Sequence, residues 1–294
     1  MELLQLKYFC KVARLQHMTR AAEELHIAQP ALSKTIRHLE NELGAALFDR
    51  TGKYIRLNDY GRIFLDYAER ALGAIEDGKH HVRDAAGSAE GTIRLAFPVG
   101  SHIVPGLLAE FRRLHPQITF TLIQQFSGME RPLFDLCISS FRQPIPDTES
   151  IPLIDEELFL AVPDTHPLAN RTSVRLEEMA NEPFIALVPG SSLRDTTDRL
   201  CLLAGFRPNI VFESDNPSTV RGLIRAGQGV AFIPAVSWEG STGPEARLLH
   251  VESPECRRVI SLSWYKSHYL SRAARLFREF TVDYFAGQAS SSMD

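Results

Sequence analysis

The sequence predicts an α/β protein in two parts, a small all-α N-terminal unit and a larger α/β unit, joined by one long helix. Three observations support this fold class. Apolar residues recur at helical spacing through the first 45 residues, and a single amphipathic pattern then extends from residue 59 to about 86. From residue 92 onward, short apolar runs alternate with amphipathic segments, which is typical of a parallel sheet with crossover helices.

The composition indicates a soluble chain with a basic beginning. With 294 residues, 44% of them apolar, the chain is long enough to form two or three units with buried cores. Its apolar runs are far shorter than the roughly 18 residues that span a bilayer. No basic segment followed by an apolar one opens the chain, so we expect a cytoplasmic protein without membrane association. The net charge is −4, yet residues 1–58 hold nine Lys and Arg against six Asp and Glu, which suits a nucleic-acid partner.

The N-terminal unit is expected to form three helices. The first carries Phe9 on its apolar face, and the second is expected to begin at Thr19, whose hydroxyl can cap it. In the third, Leu32, Ile36 and Leu39 follow one another at i, i+4 and i+7 and define the buried face. The pattern therefore predicts that the segment IAQPALSKTIRHLE packs these residues inward and presents its other face to solvent.

The opposite face of this third helix carries side chains that suit DNA. Gln29, Ser33 and Arg37 fall at i, i+4 and i+8, with Pro30 and Lys34 beside them. Gln can bond adenine through two hydrogen bonds, and Lys or Arg can reach guanine or phosphate. Pro30 costs no helical hydrogen bond, because an N–H in the first turn has no partner within the helix. The alternative interpretation is an ordinary solvated helix face.

A predicted hairpin follows this helix. Its strands, 48–50 and 54–57, flank the Gly-containing turn 51–53, and we name this hairpin the wing. The wing carries Arg50, Lys53 and Arg56, so a basic ribbon comes directly after the polar helix. This combination favours DNA binding over a plain solvated face.

The N-terminal run resembles the winged helix-turn-helix of the LysR-type transcriptional regulators over residues 1–60, through FCKVARLQHMTRAAEELHIAQPALSKTIRHLENELGAALFDRTGKYIRLNDYG. The phrases HPLA (166–169) and GLIRAGQGVAFIPA (222–235) resemble that family's effector-binding region. The resemblance implies a homodimer or homotetramer that binds double-stranded promoter DNA, with RNA polymerase as a further partner. It also implies a C-terminal, two-lobed α/β sensor domain like a periplasmic binding protein.

The same resemblance implies domain boundaries and DNA-facing residues. The expected parts are a winged helix-turn-helix domain over 1–58 with the helix-turn-helix at 18–37, a linker and dimerisation helix over 59–87, and an effector-binding domain over 88–294. The expected lobes of the last are lobe I, about 92–162 and 266–288, and lobe II, about 163–265. The expected DNA-binding residues are Thr19, Arg20, Gln29, Pro30, Ser33, Lys34, Arg37, Arg50, Thr51 and Lys53.

Three positions depart from the family pattern. Ala28 stands where a Ser or Thr usually caps the recognition helix, which removes a cap worth about 1 kcal/mol. Asn58 stands where a Thr is usual, but Asn caps a helix equally well. Only nine residues, 126–134, separate the second strand of the α/β unit from the segment DLCI, so the helix that is usual there is expected to be shortened or lost.

The α/β unit is expected to contain eight strands, with a Pro-rich passage at 144–152 crossing between the two lobes. The predicted strands are 92–97, 118–125, 135–139, 158–163, 183–188, 209–214, 229–234 and 258–265.

Two strand-to-helix junctions, 98–102 and 189–192, form the predicted effector site. Ligands of α/β sheets gather at the carboxyl ends of strands, and free N–H groups at a helix N-terminus favour an anion. The alternative is that Ser101 and Ser191 only cap their helices. The sequence also resembles the branch of the family that regulates glutamate synthase, which implies a small-molecule effector that is a carboxylate or an amino acid. The expected effector-binding residues are Val99, Gly100, Ser101, His102, Phe126, Ser127, Pro189, Gly190, Ser191, Gly229 and Phe232.

Other functions are weighed against this one. Cys201 and Cys256 offer a redox-sensing alternative, since peroxide-sensing members of the family use paired cysteines in the second lobe. The four cysteines stand far apart without a Cys-x-x-Cys pattern, so buried structural cysteines are favoured, and no metal or cofactor is expected. Common nucleotide-binding, hydrolase and metalloprotease motifs are absent from the sequence, so the chain is not expected to be an enzyme. A stand-alone solute-binding protein is disfavoured by the basic N-terminal unit.

Overall fold

The computed structural model describes residues 1–51, 54–87, 91–124, 134–141, 143, 145–238 and 245–291. The chain forms two compact units. The first comprises Met1–Ser88 and His268–Ser271, and the second comprises Ala89–Ser267 and Arg272–Asp294. In the part of the chain that the structure describes, no helix combines the length and the apolar character needed to cross a membrane.

The first unit begins with three helices, α1 (Leu3–Leu15), α2 (Met18–Glu24) and α3 (Gln29–Leu43). The predicted apolar stripe of α3 is confirmed, since Leu32, Ile36 and Leu39 are fully buried in the same cluster as Phe9. Helix α3 begins at Gln29 with a proline in its first turn, and its N-cap position is occupied by Ala28, as predicted. The helix therefore starts without a side-chain cap.

The predicted cap of α2 is wrong. This helix begins at Met18, one residue before Thr19, so Thr19 lies inside the first turn. The capping group is His17, whose Nδ1 accepts a hydrogen bond of 3.2 Å from the backbone N–H of Arg20. A histidine nitrogen supplies the acceptor that a hydroxyl was expected to supply.

The wing and the long helix complete the first unit. Strand β1 (Phe48–Thr51) pairs antiparallel with β2 (Tyr54–Leu57), which confirms the predicted hairpin. Helix α4 (Asp59–Ala85) follows, and Asn58 caps it by accepting the N–H of Gly61 at 2.9 Å. A Cβ on Gly61 would lie 2.1 Å from the carbonyl oxygen of Leu47, so only glycine fits where α4 meets the turn before the wing.

The second unit is a mixed α/β fold. Its elements in chain order are β3 (Gly91–Ala96), α5 (Val104–Leu114), β4 (Ile118–Ile123), β5 (Leu136–Ser139), β6 (Thr148–Pro163), β7 (Ser173–Val174), a 3-10 turn (Leu176–Met179), β8 (Pro183–Leu187), α6 (Ser192–Leu203), β9 (Asn209–Ser214), α7 (Pro217–Arg225), β10 (Ala231–Pro234), β11 (Ala246–Val251), β12 (Arg257–Tyr265) and α8 (Arg272–Ser291). All eight predicted strands are present, and β7 and β11 were not predicted.

Strand β6 connects two groups of strands. The main sheet has the order β4-β3-β5-β12-β6-β11-β7, with β10 also pairing to β6. Residues 148–157 of β6 pair with β12, whereas residues 158–163 pair with β10 and β11. The predicted strand covered only this second part, because the first part is half exposed and rich in polar residues.

The strand pairing departs from the expected lobe boundary. Residues 158–162 were expected in lobe I, but they pair with β10 and β11. Residues 258–265 were expected in lobe II, but β12 pairs with β5. We therefore propose that β6 passes from one lobe to the other near residue 157. The segment 126–134, where a helix was expected to be shortened or lost, falls almost wholly outside the described residues.

Candidate DNA-binding face and effector cleft

The polar side of α3 is exposed as the sequence predicts. Gln29, Pro30, Lys34 and Arg37 all lie at the surface of the first unit, on the side of α3 away from its buried stripe. Each helix turn thus presents one or two groups that can bond a base edge or a phosphate. Thr19 is exposed as well, in α2, so the two helices of the predicted helix-turn-helix both contribute surface.

Ser33 does not belong to this exposed face, so the expectation that its side chain faces solvent is wrong. Its residue surface is only 7% exposed, and its Oγ accepts a hydrogen bond of 3.3 Å from Nη2 of Arg37. The spacing of four residues places the two side chains one above the other on the helix. Ser33 therefore orients Arg37 rather than reaching outward itself.

Arg20 is exposed and held by its own helix. Its Nε lies 3.3 Å from Glu24, and Lys11 of α1 forms an ion pair with the same carboxylate. The hydrogen bond from Lys11 lowers the pKa of Glu24, with both positive charges adding to the effect. In the wing, the backbones of Arg50 and Thr51 belong to β1, and Lys53 lies outside the described residues.

Helix α4 combines one fixed face with one uncovered face. Arg14 of α1 donates to Oε1 of Glu69 from Nε at 3.3 Å and from Nη2 at 3.0 Å, and Glu69 is buried, so this pair fastens α4 to the helical domain. Elsewhere on α4, Tyr60, Ile63 and Tyr67 follow at i, i+3 and i+7 and are 64%, 61% and 62% exposed. An apolar row of this kind marks an interaction surface.

In the second unit, both predicted junctions line one cleft of about 460 Å³. Six residues that the sequence singled out are among its walls: Val99, Gly100, Ser101, Pro189, Gly190 and Ser191. The other lining residues are Pro98, Gln124, Phe141, Leu187, Val188, Ser192, Leu193, Asp215, Pro217, Trp238 and Arg258.

The two junctions differ in how their serines are used. Gly100 and Gly190 adopt φ of +78° and +88°, which lets the chain turn sharply from strand toward helix. Ser191 is the N-cap of α6, and its Oγ accepts the N–H of Arg194 at 3.2 Å. Ser101 lies in the turn before α5, whose N-cap position is Ile103, so the capping interpretation holds for Ser191 and fails for Ser101.

Three predicted effector residues lie away from the cleft lining. His102 is exposed in the turn before α5. Phe232 of β10 packs in the core with its ring 6.2 Å from that of Phe184 and borders a separate void of about 20 Å³, room for about one water molecule. Gly229 has φ +153°, and a Cβ there would lie 2.4 Å from the carbonyl oxygen of Pro183. Its role is close backbone packing. Phe126 and Ser127 lie outside the described residues.

The sequence interpretation missed Arg258, a buried cation in the wall of the cleft. Its side chain is 4% exposed, and its Nε donates to Oε1 of Glu156 at 2.7 Å. Its Nη2 donates to Oγ of Ser237 at 2.8 Å, and its Nη1 lies 3.5 Å from Oγ of Ser140. Burial lowers the pKa of Arg258, and the charge of Glu156 opposes that shift.

Glu156 is enclosed by donors on every side. Its side chain is 0% exposed, and besides Arg258 it accepts the hydroxyl of Ser237 at 2.9 Å. The backbone N–H groups of Val236 and Ser237 donate to its Oε2 at 3.0 and 2.8 Å. Ser140 also shares a hydrogen bond of 2.8 Å with Ser192 at the start of α6. These hydrogen bonds join five buried residues, which we name the buried polar network: Ser140, Glu156, Ser192, Ser237 and Arg258.

One signal in the sequence points weakly to this network. Arg257 and Arg258 are adjacent in a strand, and side chains alternate across a strand, so one of the two must face inward. The sequence does not say which, nor that Glu156, 102 residues away, is the partner.

The cysteines do not suit a redox sensor. Cys201 and Cys256 are buried in the apolar cluster of the second lobe, and burial raises the pKa of each thiol to about 12. Because the thiolate is the reactive form, both are poor nucleophiles near neutral pH.

The chain is a DNA-binding transcriptional regulator that joins a winged helix-turn-helix to an effector-binding domain. Residues 3–62 match the family described as bacterial regulatory helix-turn-helix protein, lysR family, and residues 86–286 match the LysR substrate binding domain. The chain therefore belongs to the LysR family.

Relatives along the whole length agree with this. The chain is 39% identical to the uncharacterized HTH-type transcriptional regulator YybE of Bacillus subtilis, over 97% of this chain and 100% of that protein. It is 31% identical to the transcriptional dual regulator GltC of the same organism, over 97% and 98%.

Solved structures show the same architecture. A full-length OxyR variant from Pseudomonas aeruginosa is 25% identical with a TM-score of 0.70, covering 96% of this chain and 94% of that one. The effector-binding domain of QuiR in complex with shikimate is 29% identical with a TM-score of 0.60, covering 67% and 98%.

Proposed function

We propose that this regulator binds a small carboxylate in the effector cleft and that occupancy changes its binding to promoter DNA. The observation that carries the proposal is that the two junctions, 98–101 and 189–192, line one cleft. The first turn of α6 opens onto it, and the N–H groups of a first turn favour an anion. QuiR, whose effector-binding domain resembles this one, is in complex with shikimate, which is a carboxylate.

The mechanism is a shift between conformations of the sensor. A ligand held by both walls of the cleft binds more tightly to one conformation of the two lobes than to another. Binding therefore increases the population of the conformation that it prefers. The change reaches DNA as a different spacing of the winged domains on a bent promoter, which costs deformation energy that depends on the spacing. Arg20, Gln29, Lys34 and Arg37 contact the operator in this proposal, with Gln29 reading a base and the cations meeting phosphates or guanine.

The assembly is a homodimer or homotetramer in the cytoplasm. The exposed row Tyr60, Ile63 and Tyr67 on α4 supports this, because an uncovered apolar face of a long helix is stabilised when a second copy covers it. A dimer also places two recognition helices on two half-sites of a palindromic operator. RNA polymerase is a further partner once the regulator is bound at a promoter.

The test uses the full chain. Duplexes selected from a random pool serve as DNA, and affinity is measured between 50 and 200 mM salt, where phosphate contacts cause a steep loss. Thermal unfolding is then measured with carboxylates at 10 mM and with their amides. Stabilisation by a carboxylate that also alters DNA affinity supports the proposal. A chain that binds DNA without salt dependence, or that no carboxylate stabilises, contradicts it.

A further inference from the structure

We infer that Arg258 is the residue that selects an anionic effector, by donating hydrogen bonds from its guanidinium into the cleft. The inference rests on the proposed carboxylate function of this cleft and names the side chain that recognises the carboxylate. The position of Arg258 is unusual, since its side chain is almost wholly buried and yet forms part of the cleft wall.

The guanidinium has donors to spare. It carries five N–H groups, and the hydrogen bonds within the described residues use three of them, on Glu156, Ser237 and Ser140. The contact with Ser140, at 3.5 Å, is at the outer limit of a hydrogen bond. Two N–H groups therefore remain for a ligand. A third can also turn to the ligand, because its weak hydrogen bond to Ser140 is the only one that it loses. A fork of parallel donors matches the two oxygens of a carboxylate.

The charge of Glu156 does not face the ligand. Both of its oxygens are saturated by Arg258, by the hydroxyl of Ser237 and by two backbone N–H groups, and it is absent from the residues lining the cleft. Its function is to hold the guanidinium in a buried position that an unpaired arginine would not occupy. The ligand therefore meets the positive partner of the pair.

The groups around Arg258 also favour the binding of an anion. Ser140 Oγ is within hydrogen-bond distance of both Arg258 and Ser192, so the guanidinium and the first turn of α6 lie beside one another. Helix N-termini carry a partial positive charge. Among the described residues that line the cleft, the other charged side chain is Asp215, which is exposed, so solvent and salt weaken its repulsion.

The variants are chosen to keep the interior neutral. Arg258→Met combined with Glu156→Gln removes the cation without leaving a buried, unpaired carboxylate. Arg258→Lys is the second variant, because it keeps a charge but loses the planar fork. Arg257→Met is the matched control, since Arg257 is the next residue of β12 and donates from the exposed face of the strand to Asp155 at 3.0 Å.

The experiment measures binding to the full-length proteins. The probes are acetate, malonate, succinate, 2-oxoglutarate, benzoate and shikimate, each compared with its amide, by thermal shift and then by titration calorimetry with the carboxylates that stabilise. We expect the wild type and Arg257→Met to share one dissociation constant. The double variant should bind at least about tenfold more weakly, and Arg258→Lys should lie between them. Circular dichroism and urea midpoints show which variants are folded. If the double variant is unfolded, the dissociation constant of Arg258→Lys alone tests the inference.

The outcomes separate two failures. If the folded Arg258 variants bind the carboxylate as tightly as the wild type, the inference is wrong and the carboxylate function of the cleft stands. If the wild type responds to none of the carboxylates, or equally to the amides, the proposed carboxylate function fails and the inference fails with it.

Discussion

The polar face of α3 and the effector cleft both carry positive charge, but the two regions stabilise that charge differently. On α3, Lys34 and Arg37 are exposed, so water and salt screen their charge. In the cleft, Arg258 is buried and its charge is balanced by Glu156. An exposed cation has almost no effect on the free energy of folding, whereas a buried cation destabilises the fold unless a carboxylate pairs with it. We therefore expect substitutions on α3 to change the proposed function without changing stability, and substitutions of Arg258 to change both.

The largest expected effect comes from breaking the buried pair alone. Arg258→Met should lower the free energy of unfolding by about 3 to 5 kcal/mol, because Glu156 is left buried without its counter-charge. Lys34→Met, an exposed cation of the recognition helix, should leave it within about 0.5 kcal/mol. Urea unfolding followed by circular dichroism measures both. Equal stability of the two variants would contradict the expectation that a buried, paired cation matters more to folding than an exposed one.

The next largest effect is expected at Gly229, where the backbone before β10 packs against the start of β8. Gly229→Ala should cost about 3 kcal/mol, since its φ of +153° is strained for alanine and the new methyl would meet the carbonyl of Pro183. Gly222→Ala in α7 is the control, because open space surrounds that position and alanine favours a helix. The control should be neutral or slightly stabilising in the same urea assay. A mild Gly229→Ala would show that β8 and the turn before β10 can move apart.

On the recognition helix the expected losses are in DNA binding. Gln29→Ala should cost about 1 to 3 kcal/mol at one base position and relax specificity there. Lys34→Ala should weaken binding evenly across sequences and reduce the salt slope by about 1. Both are measured by titrating operator variants at several salt concentrations. If both substitutions lose specificity alike, the division between base and phosphate contacts is incorrect.

Ser33→Ala should have a smaller effect, and it should lower both stability and DNA affinity. The variant loses one partly buried hydrogen bond to Arg37, so stability should fall by about 0.5 to 1.5 kcal/mol. DNA affinity should fall modestly, because Arg37 is no longer oriented. Arg37→Ala, made alone and in the Ser33→Ala background, completes a double-mutant cycle. Additive losses in the cycle would show that Ser33 acts independently of Arg37.

The smallest expected effect is that of oxidation. With the pKa of Cys201 and Cys256 raised to about 12, hydrogen peroxide at pH 7.5 should leave DNA affinity unchanged. Iodoacetamide should label both thiols only after unfolding in urea. Above pH 9 the unfolded thiols lose protons before the folded ones do, so stability should fall as pH rises toward 12. Rapid labelling of the native protein, prevented by Cys201→Ser, would restore the redox-sensing alternative.

Local patterns were enough for most of the first unit. The buried stripe of α3, its start at Gln29, the wing and the Asn58 cap all depend on residues within a few positions of one another, and all are confirmed. The errors there are also local. A histidine nitrogen replaced the expected hydroxyl cap, and Ser33 lies just inside the boundary of the buried face.

In the second unit, the sequence alone determined the predicted strands and the two junctions, because apolar runs and glycine turns are signals carried by neighbouring residues. Only the tertiary structure decided that the junctions share a cleft, that β6 continues through a polar half, and that Gly229 and Phe232 serve packing. It alone also brought Arg258 and Glu156 together. A strand's alternation says that one of two arginines is buried, but the partner that makes burial tolerable comes from another strand. Pairing across a sheet is decided by the energy of the whole core, which no short segment of sequence contains.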